Sequence, residues 1–191
     1  MTRLYIIIDV SGSMNEMGKI HLQRNLCRYA VQLQIIDQEK YSNVDFRFFQ
    51  WAENISEIII QKDGDIPILV SKGSSNLHLL SDFLSKSYCD SQVLHVLILS
   101  DGNFVSSDIS SFKTQLHTIP NLLLRIVAVG ADADLLKLKE ISSNNSVYLS
   151  ENISAAINCT IFGTDECMKA PESIAHILKV QPAELEEDWD V

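Results

Sequence analysis

Asp9-Val10-Ser11-Gly12-Ser13-Met14 places one carboxylate and two hydroxyls on alternate residues, between the apolar run Leu4 to Ile8 and a segment of helical periodicity. A hard dication such as Mg²⁺ takes about six oxygen ligands at roughly 2.0–2.1 Å and keeps several waters, so these side chains are suitable donors. Gly12 is expected to let the loop turn tightly. The free N–H groups in the first turn of the following helix are expected to help satisfy the anionic Asp9. Taken alone, the same residues also read as an ordinary helix entry with Ser11 or Ser13 as N-cap. Two later stretches favour the metal: Ser100-Asp101-Gly102, which ends a second apolar run, and Gly73-Ser74-Ser75-Asn76, just before another helical pattern.

The elements that must position these residues follow from periodicity. Leu22, Leu26, Tyr29, Leu33 and Ile36 recur at helical spacing and predict one apolar face of a helix running to about Asp37. Val44, Phe46 and Phe48 alternate with Asp45, Arg47 and Phe49, and Ile55 to Ile60 follows after Ala52-Glu53-Asn54, which predicts a β-hairpin. Leu77, Leu80 and Leu84 resume helical spacing. Val93 to Leu99 is apolar except for His95, as expected of a strand buried on both faces of a parallel sheet. Ile109, Phe112, Leu116 and Ile119 mark a helix ended by Pro120. Leu122 to Val129 is a second buried strand closed by Gly130, and Asp132 or Asp134 can cap the helix containing Leu135 and Leu138. A short strand at Val147 to Leu149 and a helix around Ile153 to Ile157 complete the alternation. The order predicts an α/β fold: three layers, doubly wound, with a mostly parallel six-stranded sheet and the hairpin strand as its one antiparallel edge. It also predicts a domain over residues 1–160 and an extension over 161–191, with a small helix at Pro171 to Val180 and an acidic tail.

Composition bounds the function. The chain has 191 residues, enough for one α/β domain with a short appendage, and its hydrophobic content of 46% with 21% charged residues is globular. A formal net charge of −10 without clustered Lys or Arg argues against nucleic acid and against anionic membrane surfaces as partners. No apolar run approaches the ~18 residues needed to span a bilayer. The start at Met1-Thr2-Arg3 lacks the pattern of a secretory signal, and the cysteines Cys27, Cys89, Cys159 and Cys167 lack C-x-x-C spacing. Reduced thiols and a cytoplasmic location are therefore expected.

In open α/β sheets, ligands lie outside the carboxyl ends of strands where the winding reverses. Asp9 and Asp101 each end a predicted buried strand, and Ser75 brings a third loop to the same edge. With these residues in order, the chain resembles a von Willebrand factor type A domain, a Rossmann-like α/β fold, with its metal-ion-dependent adhesion site (MIDAS). In that family the site is Asp-x-Ser-x-Ser on the first loop, Thr on the second and Asp on the third. The resemblance therefore implies a metal site of Asp9, Ser11, Ser13, Ser75 and Asp101, binding Mg²⁺ with Mn²⁺ or Ca²⁺ as substitutes. The second loop departs from the family's Gly-Gly-Thr-Asn: Ser75 keeps the hydroxyl but not the stiffness of Thr, and Ser74 is a competing donor. Arg3 to Ile157 is the stretch covered.

The resemblance implies a binding module in which the metal takes an acidic side chain of another protein, rather than an enzyme. Its size and expected compartment are similar to those of bacterial members associated with tellurium resistance and related stress or defence systems. The alternative is a Mg²⁺-dependent phosphohydrolase with Asp9 as nucleophile. Such enzymes place a second Asp two residues on, where this chain has Ser11, and His21, His78, His95, His117 and His176 lack triad or ligand spacing. Glu184 to Asp190 combines carboxylates with Leu185 and Trp189, so the tail over 183–191 can be read as a partner-docking segment or as a solvated acidic end. Trp51 is expected to be a core aromatic of the hairpin. Phe104, next to Asp101, reads equally as a contact residue or a buried one.

Overall fold

The computed structural model describes residues 1–60, 64–88 and 92–163. Its centre is a six-stranded sheet in the order β3-β2-β1-β4-β5-β6. The strands are β1 (Thr2–Asp9), β2 (Val44–Trp51), β3 (Ile55–Ile58), β4 (Leu94–Ser100), β5 (Leu122–Ala128) and β6 (Val147–Leu149). All neighbours are parallel except β2 and β3, so the hairpin strand is the antiparallel edge that its alternation predicts. The helices are α1 (Lys19–Ile36), the short α2 (Gln38–Tyr41), α3 (Leu77–Ser87), α4 (Ser106–Leu116), α5 (Leu135–Ile141) and α6 (Ile153–Phe162).

Period-two alternation on β1 divides the interior. Leu4, Ile6 and Ile8 join one core with Ile20, Cys27, Ala30 and Val31 of α1 and with Ile153, Ala156 and Ile157 of α6. Tyr5 and Ile7 face the other, formed with Leu77, Leu80 and Leu84 of α3, Ile109 and Phe112 of α4, and Leu138 and Ile141 of α5. Every residue of β4 is buried, which is why it reads as a continuous apolar run. His95 fits there because its Nδ1 donates to the Thr160 carbonyl of α6 at 2.6 Å, tying the strand to the helix above it.

The chain winds from β1 out to β2 and β3, then returns to β4 on the other side of β1. The reversal therefore lies between β1 and β4, where Ile8 stands opposite Leu99. Asp9 and Ser100-Asp101 leave the sheet at this one edge, the place where open α/β folds form a crevice.

Several local expectations change. The helix does not follow the first motif directly: tight turns over Gly12–Gly18 intervene, with Met17 at φ 51° and Gly18 at φ 73°. The buried face of α1 matches the predicted one only in part: Leu26 is in the core and Leu33 packs against it, whereas Leu22, Tyr29 and Ile36 are exposed at 37%, 41% and 82%. Two apolar sets share the helical period, and the one containing small Cys27 and Ala30 lets the helix approach the sheet closely. Val93 is exposed and β4 begins at Leu94. α6 runs on to Phe162. Cys89, Cys167, His176, the helix expected at Pro171 to Val180 and the acidic tail lie outside the described residues. Among the described residues no helix is long and apolar enough to cross a membrane.

Cys27 is 1% exposed, and burial pushes its thiol pKa up from the ordinary range, so the reactive thiolate is scarce at neutral pH. Iodoacetamide treatment mapped by mass spectrometry is expected to leave Cys27 unmodified in native protein and fully modified in urea. Equal labelling in both states would contradict its placement on the buried face of α1.

Candidate metal centre

Asp9 closes β1 and is fully buried. Its Oδ1 accepts the Ser11 N–H at 2.9 Å, its Oδ2 accepts the Ser100 hydroxyl at 2.6 Å, and the Ser75 hydroxyl is shared between the two oxygens at 3.1 Å each. Among the described residues all its partners are neutral donors. Burial pushes the Asp9 carboxyl pKa up from the usual carboxylate range; hydrogen bonds from Ser100 and Ser11 oppose that rise, and the nearby charge of Asp101 adds to it.

The first and second loops are laced together by their backbones. The Gly12 N–H donates to the Gly73 carbonyl at 2.8 Å and the Lys72 N–H to the Val10 carbonyl at 2.7 Å. A Cβ on Gly12 would stand 3.3 Å from that Gly73 oxygen, so glycine serves close approach here rather than a tight turn. The Ser11 and Ser13 hydroxyls lie 3.2 Å apart. Asn76 caps α3 by accepting the Leu79 N–H at 2.9 Å, and its carbonyl accepts the Trp51 indole N–H at 2.9 Å. Ser75 is thereby held against Asp9, while Ser74 is exposed. Trp51 and Phe104 are buried with ring centroids 5.9 Å apart, so both support the rim from beneath and neither is a surface contact.

The third loop is anchored as firmly. Asp101 is 3% exposed; its Oδ1 accepts the Asn103 N–H at 3.0 Å and its Oδ2 accepts the Lys19 ammonium at 2.8 Å. Lys19 also donates to Asp132 Oδ2 at 2.9 Å. Burial alone would lower the Lys19 pKa, but its hydrogen bonds to the two carboxylates and their charges outweigh burial and raise it, while Lys19 holds Asp132 below the usual range. Ser13, Glu16, Lys19, Asp101, Asp132 and Lys137 are among the residues around a cavity of about 230 Å³. A cavity of about 300 Å³ between Met1, Arg3, Tyr5, Ser87 and His95 has no comparable set of converging oxygen donors.

No family model matches the sequence, and no curated protein is significantly similar to it. Solved structures are similar in architecture. The ArnB paralog VWA2 from Sulfolobus acidocaldarius is 18% identical, with a TM-score of 0.60 over 82% of this chain and 44% of that one. A von Willebrand factor type A protein from Catenulispora acidiphila is 15% identical, with a TM-score of 0.57 over 80% of this chain and 40% of that one. The fold is that of a von Willebrand factor type A domain. Proximal thread matrix protein 1 from the mussel byssus, in a structure with a zinc-occupied MIDAS motif, is 14% identical, with a TM-score of 0.57 over 82% of this chain and 44% of that one. The likeness spans less than half the length of each of these proteins.

Within this von Willebrand factor type A fold, Asp9, Ser11, Ser13, Ser75 and Asp101 all stand at the edge where the winding reverses: the first two loops are bonded to each other, and the third is tied in by Ser100 to Asp9 and by Lys19 to Asp101. Among the described residues no group of three or more His, Cys, Asp or Glu is arranged to hold a metal. A cation held at this rim would therefore rely on hydroxyls as well as carboxylates, a donor set for a hard ion. Two expectations are corrected, and a third, the cap of α5 by Asp132 or Asp134, is narrowed to one residue. Neither Ser11 nor Ser13 caps a helix by its side chain, because α1 starts only at Lys19. For the same reason Asp9 draws on the Ser11 N–H of its own loop, not on the first turn of α1. Asp134, and not Asp132, caps α5 by accepting the Lys137 N–H.

Sequence reasoning missed Ser100, Lys19 and Asp132. Lys19 carried a readable signal, since a cation in the first turn of a helix opposes the macrodipole and so needs another reason to be there. Ser100 offered none beyond its place before Asp101.

Ser100→Ala removes a buried charge-assisted hydrogen bond, so a loss of about 1–3 kcal/mol in urea unfolding is expected. Mn²⁺ affinity is expected to fall about 10-fold or more for this variant and for Ser75→Ala, because both orient Asp9. Ser74→Ala is expected to bind Mn²⁺ as the wild type does, measured by EPR titration.

Proposed function

We propose that the chain is a protein-interaction module in which Asp9, Ser11, Ser13, Ser75 and Asp101 hold a divalent cation, Mg²⁺ by preference, that ligates a carboxylate of a partner protein. The observation that carries this reading is Asp9: a wholly buried carboxylate whose described partners are all uncharged. A buried charge without a counter-charge is unfavourable by several kcal/mol, and a dication at the rim would supply what is lacking. When bound, the ion would offer a Lewis-acidic position to an incoming oxygen ligand.

The chain's own residues then have distinct tasks. Ser100 and the Ser11 N–H orient Asp9. Ser11, Ser13 and Ser75 present neutral hydroxyls that add donors without adding negative charge. Asn76 and Trp51 hold the second loop so that Ser75 does not have to be ordered on binding. The zinc-occupied MIDAS of the byssus protein supports a divalent ion; the hydroxyl and carboxylate donors here support magnesium over zinc, which favours nitrogen and sulfur.

The proposal extends to a cytoplasmic scaffold or adaptor in a multiprotein stress or defence system, of the kind the tellurium-resistance likeness implies, with burial of Cys27 in the core consistent with a reduced thiol. The second reading, a phosphohydrolase with Asp9 as nucleophile, is not favoured. Ser11 occupies the place of the expected acid-base residue, and His95 is committed to the Thr160 carbonyl.

Peptides bearing a central Asp or Glu are expected to bind in Mg²⁺, to be released by EDTA, and to fail when that residue is Asn or Gln. A partner pulled down from native lysate should likewise be lost with EDTA and with Asp9→Ala. Retention in every condition would remove the metal-bridged mechanism. Turnover of p-nitrophenyl phosphate in Mg²⁺ that vanishes in Asp9→Asn would instead establish the hydrolase.

A further inference from the structure

Lys19 is a buried residue of this rim that cation binding by itself does not call for. Its side chain is 2% exposed at the start of α1, where its charge opposes the helix macrodipole. Buried ammonium groups are rare without partners, and Lys19 has two, Asp101 at 2.8 Å and Asp132 at 2.9 Å. The fold also makes room for its stem. At Gly130, φ +97°, a Cβ would stand 2.6 Å from Lys19 Cδ and 2.9 Å from Cγ, so only glycine lets the loop after β5 close over the lysine.

The two carboxylates of the rim are consequently unequal. Among the described residues Asp9 meets only neutral donors, whereas Asp101 shares one oxygen with a fixed cation and the other with the Asn103 N–H. With Lys19 in place, the formal charges of Asp9, Asp101, Asp132 and Lys19 are balanced by one dication. With a neutral residue there, the loaded site would keep a net negative charge and repel an incoming carboxylate.

We propose that Lys19 is a positioning residue of the metal site. By holding Asp101 it keeps that carboxylate from becoming a direct, fully neutralising ligand, so that a bound dication stays electron-poor and open to an acidic partner group. This rests on the metal-binding reading above. Lys19 thereby trades tightness of metal binding for receptiveness to an anion.

The test is Mn²⁺ binding to the whole chain, read by EPR titration, with bound waters counted from ¹⁷O-water line broadening. Lys19→Met is expected to bind Mn²⁺ about tenfold more tightly, to lose a metal-bound water, and to lose the spectral response to added acetate that the wild type shows. Unchanged or weaker Mn²⁺ affinity with an unchanged water count, in a variant whose far-UV circular dichroism is native, overturns the proposal. Asp132→Asn, at a carboxylate 41% exposed, provides a second arm that does not disturb the core. It leaves Lys19 to Asp101 alone and is expected to weaken Mn²⁺ binding about threefold or more without changing the water count; unchanged affinity there also overturns the proposal. Wild-type protein that takes up no Mn²⁺ overturns both this inference and the reading it rests on. Binding by the wild type with no gain in Lys19→Met overturns this inference alone.

Discussion

A carboxylate shut off from solvent and, among the described residues, bonded to no base is the constraint on which this structure turns. Asp9 is placed there by topology: β1 lies in the middle of the sheet, flanked by β2 and β4, and its last residue is sealed under three loops. Each hydrogen bond to a charged group contributes about 1.5–3 kcal/mol, so the donors from Ser11, Ser75 and Ser100 offset much of the desolvation of Asp9 but bring no positive charge. The rim is well organised, yet the charge of Asp9 is left without a counter-charge among the described residues, and the proposal of a bound cation starts from that imbalance.

The surroundings of Asp9 are best understood as a means of keeping hydroxyls in place without lowering its demand for charge. Backbone bonds between Gly12 and Gly73 and between Lys72 and Val10 join two loops far apart in sequence. The indole of Trp51 reaches under the second loop, and Phe104 packs against it from the third. Aromatic residues beside a presumed binding surface thus turn out to be its foundation. Their burial gives the loops a rigidity that Ser75 lacks through having no second substituent on Cβ.

The charge that does reach the rim is directed elsewhere. Lys19 sits between Asp101 and Asp132 and tethers the start of α1 to the loops after β4 and β5. One carboxylate of the pair is therefore already shared and the other is not, although both end adjacent strands at the same switch point. A symmetrical pair of acids in the sequence has become an asymmetric pair in space.

The order of elements, the antiparallel edge and the convergence of Asp9, Ser75 and Asp101 were all readable from the chain, because strand and helix periods are local and a doubly wound sheet sends the ends of its parallel strands to one edge. The donor types at that edge were equally readable, since Asp-x-Ser-x-Ser is a contiguous pattern. Tertiary structure alone decided which face of α1 is buried, where two apolar stripes compete and close packing selects the one with Cys27 and Ala30. It alone decided that Gly12 serves an approach between loops, that Ser100 completes the shell of Asp9, and that Lys19 pairs with an acid 82 residues away. Periodicity reports which side chains leave water, whereas the partner that a buried charge finds depends on distances that only the folded chain sets.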